Sequence, residues 1–306
     1  MSTKRENGCG LLSFHRKNSA YLRRAAGGTR GVPVNNRKLT VVVLIALAAA
    51  AGVQAQTLNV RIAVTSTAPA RIRISAEFPK PAAVISFPNS YAGVLGLAER
   101  IENVEARGVG DQVVTVRKLA PGEFQTAEEF NRISYEVNLN EPTPPAQGSH
   151  VSWLNRETGM LMLSDLLPRS IRGPGAYDSV LGQLELPAGW TAASNGEKRT
   201  AISYFSKEPE KMVFLIGPQL HEKSQRVGAK DFSVVLSGDW PIVDKDALRI
   251  AGKIVQEYAK LTGFELKRNA LLMLVPFPGD AGPARWTAET RGNAVVLLLG
   301  RKGNAR

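Results

Sequence analysis

Apolar and polar residues alternate from Thr57 onward, and a period of two leaves a chain little choice but strands with one buried face. Leu58, Val60, Ile62 and Val64 make one such face, and Ile72, Ile74, Ala76 and Phe78 make a second. Ile133, Tyr135, Val137 and Leu139 repeat the pattern until Asn140-Glu-Pro-Thr-Pro-Pro145 ends it, because proline cannot donate to a strand ladder. Further strands are expected at Gln112–Arg117, Gly159–Leu163, Val180–Leu186, Ala201–Phe205, Met212–Ile216 and Phe232–Leu236. Turn residues at Gly173-Pro-Gly175, Pro187-Ala-Gly189 and Asn195-Gly196 separate them. The pattern predicts a mainly β fold, an antiparallel sandwich or saddle occupying an N-terminal β domain over 56–240.

The texture changes after Trp240-Pro241. Asp244 suits the N-cap of a helix reaching Leu261, with Gly263 as its stop, and Ala247, Leu248, Ile250, Ala251, Ile254, Val255, Tyr258 and Leu261 form its apolar stripe. The uniformly apolar runs Ala270–Val275 and Ala294–Leu299 read as strands covered on both faces. One helix can cover only one face of such a sheet, so 241–306 is expected to be the start of a mixed α/β domain that is incomplete and unstable alone.

Ahead of the strands, Arg37 and Lys38 precede about fifteen apolar residues, Leu39–Val53, and then Gln54-Ala55-Gln56. A positive flank, an apolar run and small residues at Val53 and Ala55 form the pattern of a secretory signal peptide over 1–55. The run is shorter than the roughly 20 residues that span a bilayer. The chain is therefore expected to be exported, to a periplasmic or extracellular location, and to meet a membrane only if this segment stays uncleaved. The formal charge of +12 belongs mostly to the same segment, where nine cations stand against Glu6 alone. The remainder carries a modest excess with no basic run among aromatics, which argues against nucleic acid as a partner. The single cysteine, Cys9, also lies there, so the exported part has no disulfide.

Chemistry-bearing motifs are sparse. His221-Glu222-Lys-Ser-Gln225 matches a zinc helix at its first two positions, but that motif needs histidines at i and i+4 on one helical face, and Gln225 stands at the second. It reads as a solvated hairpin loop. His150 has no second ligand type at a recognisable spacing and reads as a strand-edge histidine. There is no Gly-x-Ser-x-Gly elbow and no phosphate loop. Glu128 and Glu129 read as the solvated face of a helix or turn, and Met160 and Met162 as core.

The order of parts carries more than any motif. A many-stranded β domain, an amphipathic helix and then Leu261-Thr-Gly-Phe-Glu-Leu-Lys-Arg-Asn-Ala-Leu-Leu-Met-Leu-Val-Pro-Phe-Pro278 resemble the start of the catalytic domain of gluzincin metallopeptidases. The glycyl aminopeptidase family is the most similar, with aminopeptidase N relatives more distant. Val180-Leu-Gly-Gln-Leu-Glu-Leu-Pro-Ala-Gly-Trp190 is similar to the family's strand and turn in its β domain, and the resemblance spans most of 57–300. It implies that the second domain is thermolysin-like and that zinc belongs to a full-length relative. It implies peptides as substrates of such a form, and Glu289 as a substrate-binding residue facing a peptide amine. The chain departs from the family in lacking the His-Glu-x-x-His helix and a recognisable glycine-rich exopeptidase strand. Only Trp286-Thr-Ala-Glu-Thr-Arg-Gly-Asn293 holds that strand's approximate place, and by itself it reads as a solvated loop. The expectation is an N-terminal portion of an exported metallopeptidase, with no metal ligands and no catalytic residues of its own. The alternative is a non-enzymatic exported β-sandwich binding or assembly protein.

Overall fold

The computed structural model describes residues 56–170, 176–242, 244–279, 281–282 and 284–300, all in one compact unit. The expected signal peptide and the turn at Gly173-Pro-Gly175 lie outside the described residues. Among the described residues no helix is long and apolar enough to cross a membrane.

Three sheets and a helix stack in succession. The largest is a ten-stranded saddle centred on Thr57–Thr67, Ala70–Ser86 and Glu123–Asn138. Its pairs are antiparallel except for Thr57–Thr67 with Ser179–Glu185. The alternation read from the sequence sets which side is buried: Leu58, Ile62, Ile72, Ile74, Tyr135 and Val137 all point into the core. The register between Ala70–Ser86 and Glu123–Asn138 slips between Glu77 and Ala82, around Pro79 and Pro81, where missing N–H donors interrupt the ladder and the strand can bend. Glu128 and Glu129 lie exposed within the strand Glu123–Asn138, not on a helix or turn, because the strand runs on from its ladder with Val116–Ala120, which ends at Thr126, to Phe130 opposite Ala82.

Beneath the saddle lies a four-stranded antiparallel sheet of Thr191–Ser194, Val213–Gly217, Gly159–Met162 and Trp153–Leu154. Its two middle strands are buried on both faces. Leu161, Phe214 and Ile216 face the saddle, while Met160, Met162, Val213 and Leu215 face the third sheet.

That third sheet has five strands, in the order Leu220–Val227, Lys230–Ser237, Ala270–Pro276, Ala294–Leu299, Trp286–Arg291. The three central strands are parallel, and the helix Asp244–Thr262 makes the crossover between the first two of them. Asp244 and Asp246 in the helix's first turn and Lys260 in its last complement the helix dipole. Gly263 takes a φ of 70° and donates its N–H to the Ala259 carbonyl, closing the helix where the sequence predicts.

Two expectations about this region are corrected. Phe232–Leu236 reads as part of the preceding β domain, yet Lys230–Ser237 pairs with Ala270–Pro276. His221-Glu222-Lys-Ser-Gln225 is strand, not loop, because the turn of that hairpin falls at Gly228, where φ is 60°. The sheet's inner face is not bare: Leu271, Met273, Val275, Ala294, Val296 and Leu298 are buried against the four-stranded sheet. It is the helix side that is only partly covered. Leu272, Leu297 and Leu299 are half-buried there, and Ile254, Tyr258 and Leu261 on the helix are 64%, 56% and 86% exposed.

Candidate functional site

The strand Trp286–Arg291 is the outer edge of the five-stranded sheet, where the sequence alone reads as loop. In its register Thr287, Glu289 and Arg291 oppose Leu298, Val296 and Ala294, whose side chains all point to the inner face. The period of a strand therefore turns these three residues toward the β domain rather than toward solvent.

Two segments of the β domain meet them. The first is the 3-10 helix Pro145–Ser149 and the His150 that follows it. It comes close because position 148 is glycine: a Cβ there would lie 3.0 Å from Pro278 and from Trp153 Nε1, and 3.1 Å from Leu298. Trp153 Nε1 donates to the Gly148 carbonyl at 2.8 Å, and Ser149 Oγ lies 3.0 Å from Thr287 Oγ1. The second segment is the small hairpin Ser90–Tyr91 with Val94–Leu95, whose turn uses positive φ at Ala92 and Gly93.

The groups converge on the Glu289 carboxylate. Tyr91 donates its hydroxyl to Oε1 at 2.7 Å, and His150 Nδ1 lies 2.8 Å from Oε2. Arg291 Nε is 3.6 Å from Oε1. Arg291 is itself 5% exposed, donating to Ser164 Oγ and to the His150 carbonyl, each at 2.9 Å, with its guanidinium 4.2 Å from the centre of the Tyr91 ring. The next residue, Asp165, is buried and accepts from the Ser152 N–H at 2.8 Å, the Ser152 hydroxyl at 2.6 Å and Arg100 at 3.0 Å. The hydrogen bond to Glu289 pushes the Tyr91 phenol above its ordinary value, and burial adds to the effect. An open cleft of about 430 Å³ lies alongside, lined by Tyr91, Ser164, Asp165, Lys211 and Arg291.

Chemically this is a carboxylate held in one orientation at a sheet edge, with its side chain 17% exposed. An ionised carboxylate accepts through about four lone-pair sites and carries a full negative charge, which suits it to a cationic ligand. Among the described residues no three His, Cys, Asp or Glu side chains stand close enough to hold a metal. The residues present do not fit a zinc centre, and no step is derived through one. His221 lies 3.6 Å from Asp244 at the far edge of the same sheet.

Sequence reasoning singled out Glu289 and missed its partners. His150 reads as a strand-edge residue but bonds to Glu289, and nothing local marks Tyr91 or Ser164. A usable signal was present for Arg291, which shares the inward register of Glu289 two residues away.

No family model and no curated protein matches the sequence. Among solved structures, an aminopeptidase N family protein from Idiomarina loihiensis superposes with a TM-score of 0.67 at 15% identity, covering 79% of this chain and 42% of that one. An M1 zinc metallopeptidase from Deinococcus radiodurans, in a variant bound to a Tyr-Ser-Ala substrate, matches with a TM-score of 0.47 at 11% identity, over 79% of this chain and 59% of that one. The first likeness shows the fold: the described residues share the fold of part of an aminopeptidase N family structure. The chain spans about two fifths of the length of that structure.

Proposed function

We propose that this chain is the N-terminal portion of an exported aminopeptidase-like zinc metallopeptidase, in which Glu289 receives the α-ammonium of a peptide substrate. The observation that carries the reading is the Glu289 carboxylate itself, fixed by Tyr91 and His150 at the edge strand of the five-stranded sheet. In this reading 1–55 is the cleaved leader, 56–240 the β domain and 241–306 the start of the catalytic domain. The 306-residue chain has three histidines, of which His15 falls in the leader and His150 is engaged by Glu289. A catalytic zinc needs about three protein ligands and an open position, so the chain alone is expected to be inactive. Zinc and peptide turnover belong to a longer form.

The purified chain should retain no stoichiometric zinc and release no amino acid from peptide arylamides, while its mass after expression with export should place the N-terminus at Gln56. Chelator-sensitive turnover by this chain would overturn its inactivity. An intact leader on a cytosolic product would overturn export.

A further inference from the structure

The three groups that hold Glu289 differ in how firmly they are themselves held. Arg291 is buried and bonded on two further sides. His150 donates its N–H to the Gln147 carbonyl at 2.9 Å, accepts from Arg291 through its own carbonyl, and precedes the buried Val151. Tyr91 is different. It is 37% exposed, and among the described residues its strand pairs only with Val94–Leu95. A hairpin of two such short strands is marginal by itself.

The base of this hairpin is nevertheless fixed. Asn89 accepts the Leu97 N–H through its carbonyl and the Ala98 N–H through its side chain, both at 3.1 Å. Val94 packs with Leu97 and Val151. At the tip, a Cβ on Gly93 would meet nothing within 4 Å, and Leu95, opposite Ser90, is 79% exposed. A pinned base and an open tip let the Tyr91 side chain swing off Glu289 while Val94 stays packed.

Resting on the reading of Glu289 as an amine site, we infer that the 90–95 hairpin is a gate on it: Tyr91 occupies the carboxylate oxygen that an incoming primary ammonium takes, and withdraws when one binds. The exchange is chemically favourable, because a neutral O–H donor gives way to an ammonium with three donors and a full charge. No covalent step is involved. His150 stays on Oε2, so the carboxylate keeps its orientation while Oε1 changes partner. Tyr91 is then an internal competitor for the ligand, and the measured affinity is the intrinsic one reduced by the fraction of molecules whose hairpin is closed.

The test uses the 306-residue chain with leucinamide as the amine probe and N-acetyl-leucinamide as the probe without an ammonium, titrated by calorimetry. Tyr91→Phe keeps the ring over Arg291 and removes only the O–H. It is expected to bind leucinamide about tenfold more tightly, the scale of one hydrogen bond to a charged group. Glu289→Gln should lose binding in either background, N-acetyl-leucinamide should not bind, and amide exchange over 90–96 should quicken when leucinamide saturates the wild type. Loss of binding in Glu289→Gln, combined with unchanged or weaker binding in Tyr91→Phe or unchanged exchange over 90–96, would overturn the gate and leave the amine site standing. Failure of both wild type and Tyr91→Phe to bind leucinamide at millimolar concentration, or undiminished binding by Glu289→Gln, would overturn the amine site and the gate with it.

Discussion

Replacing Arg291 by methionine keeps most of the apolar stem and removes the side chain's polar contacts with the β domain, leaving the bond from Asn195 Nδ2 to the Arg291 carbonyl at 3.0 Å. Arg291 is 5% exposed and bonds to Ser164 Oγ and the His150 carbonyl at 2.9 Å, with Glu289 Oε1 3.6 Å away. Taking one partner out of a buried ionic arrangement costs about 3–5 kcal/mol, because the other is left buried without compensation. The pairing here is looser than that case, since the Glu289 side chain keeps 17% exposure and two other donors. Arg291 Nε also makes no hydrogen bond, so its own desolvation is only partly offset and its removal returns some of that cost. These considerations place the loss near the lower bound, at about 3 kcal/mol. Urea unfolding of the whole chain, followed by tryptophan fluorescence and far-UV circular dichroism with coincident transitions, measures it. Arg291→Lys should recover little, because one ammonium cannot reproduce a fork that spans Ser164 and His150. A loss below about 1 kcal/mol in Arg291→Met, within the range of ordinary exposed ion pairs, would show that this network does not tie the sheets together.

Two glutamates should contribute to acid sensitivity. Glu136 is held below its ordinary value of 4.5 mainly by the hydrogen bond from Arg73 and then by that from Asn103, and Glu208 by the bonds from Arg268 and Lys211. Their contribution is present above the ordinary glutamate value and is lost as pH falls through the depressed folded one. The double variant Glu136→Gln, Glu208→Gln should therefore show a flatter fall in urea stability below about pH 4.5, and a slope equal to wild type would refute the assignment. Met273 is fully buried between the four-stranded and five-stranded sheets. Met273→Ala should cost about 2–5 kcal/mol in the same assay, and a cost under about 1 kcal/mol would mean that the two sheets are not tightly packed there.

What the sequence discloses and what it withholds divide along one line, local against non-local. The period of two in Thr57–Thr67 fixes Leu58, Val60 and Ile62 on one side, and the structure buries all three. Gly263 bounds the helix because a left-handed φ is a property of a single residue, whereas Asp244, read from the sequence as the N-cap, lies inside the first turn and acts there on the helix dipole. Periodicity identifies an apolar stripe but not what lies against it: Ala247 and Leu248 are buried, while Ile254 and Leu261 on the same stripe stand open. The run Val234-Val235-Leu236 is buried on both faces, the same uniform signature as 270–275, and that signature rather than proximity to the preceding strands assigns it to the five-stranded sheet.

The site lies wholly on the non-local side of that line. Tyr91 and Glu289 are 198 residues apart, and His150 and Glu289 are 139 apart, so no spacing motif can contain them. One fragment of the site is local. A carboxylate at Glu289 and a guanidinium at Arg291 stand two residues apart on a strand and so point to the same face. Once 286–291 is recognised as strand, their pairing follows. Whether the pair is buried depends on Gly148, 141 residues before Glu289 in number, whose missing Cβ lets the 3-10 helix settle against Leu298 and bring His150 within reach. A glycine after Pro-Pro-Ala-Gln looks like one more turn residue. Its function is to permit a close approach by a strand encoded far away in the sequence, and that information exists only in the assembled fold.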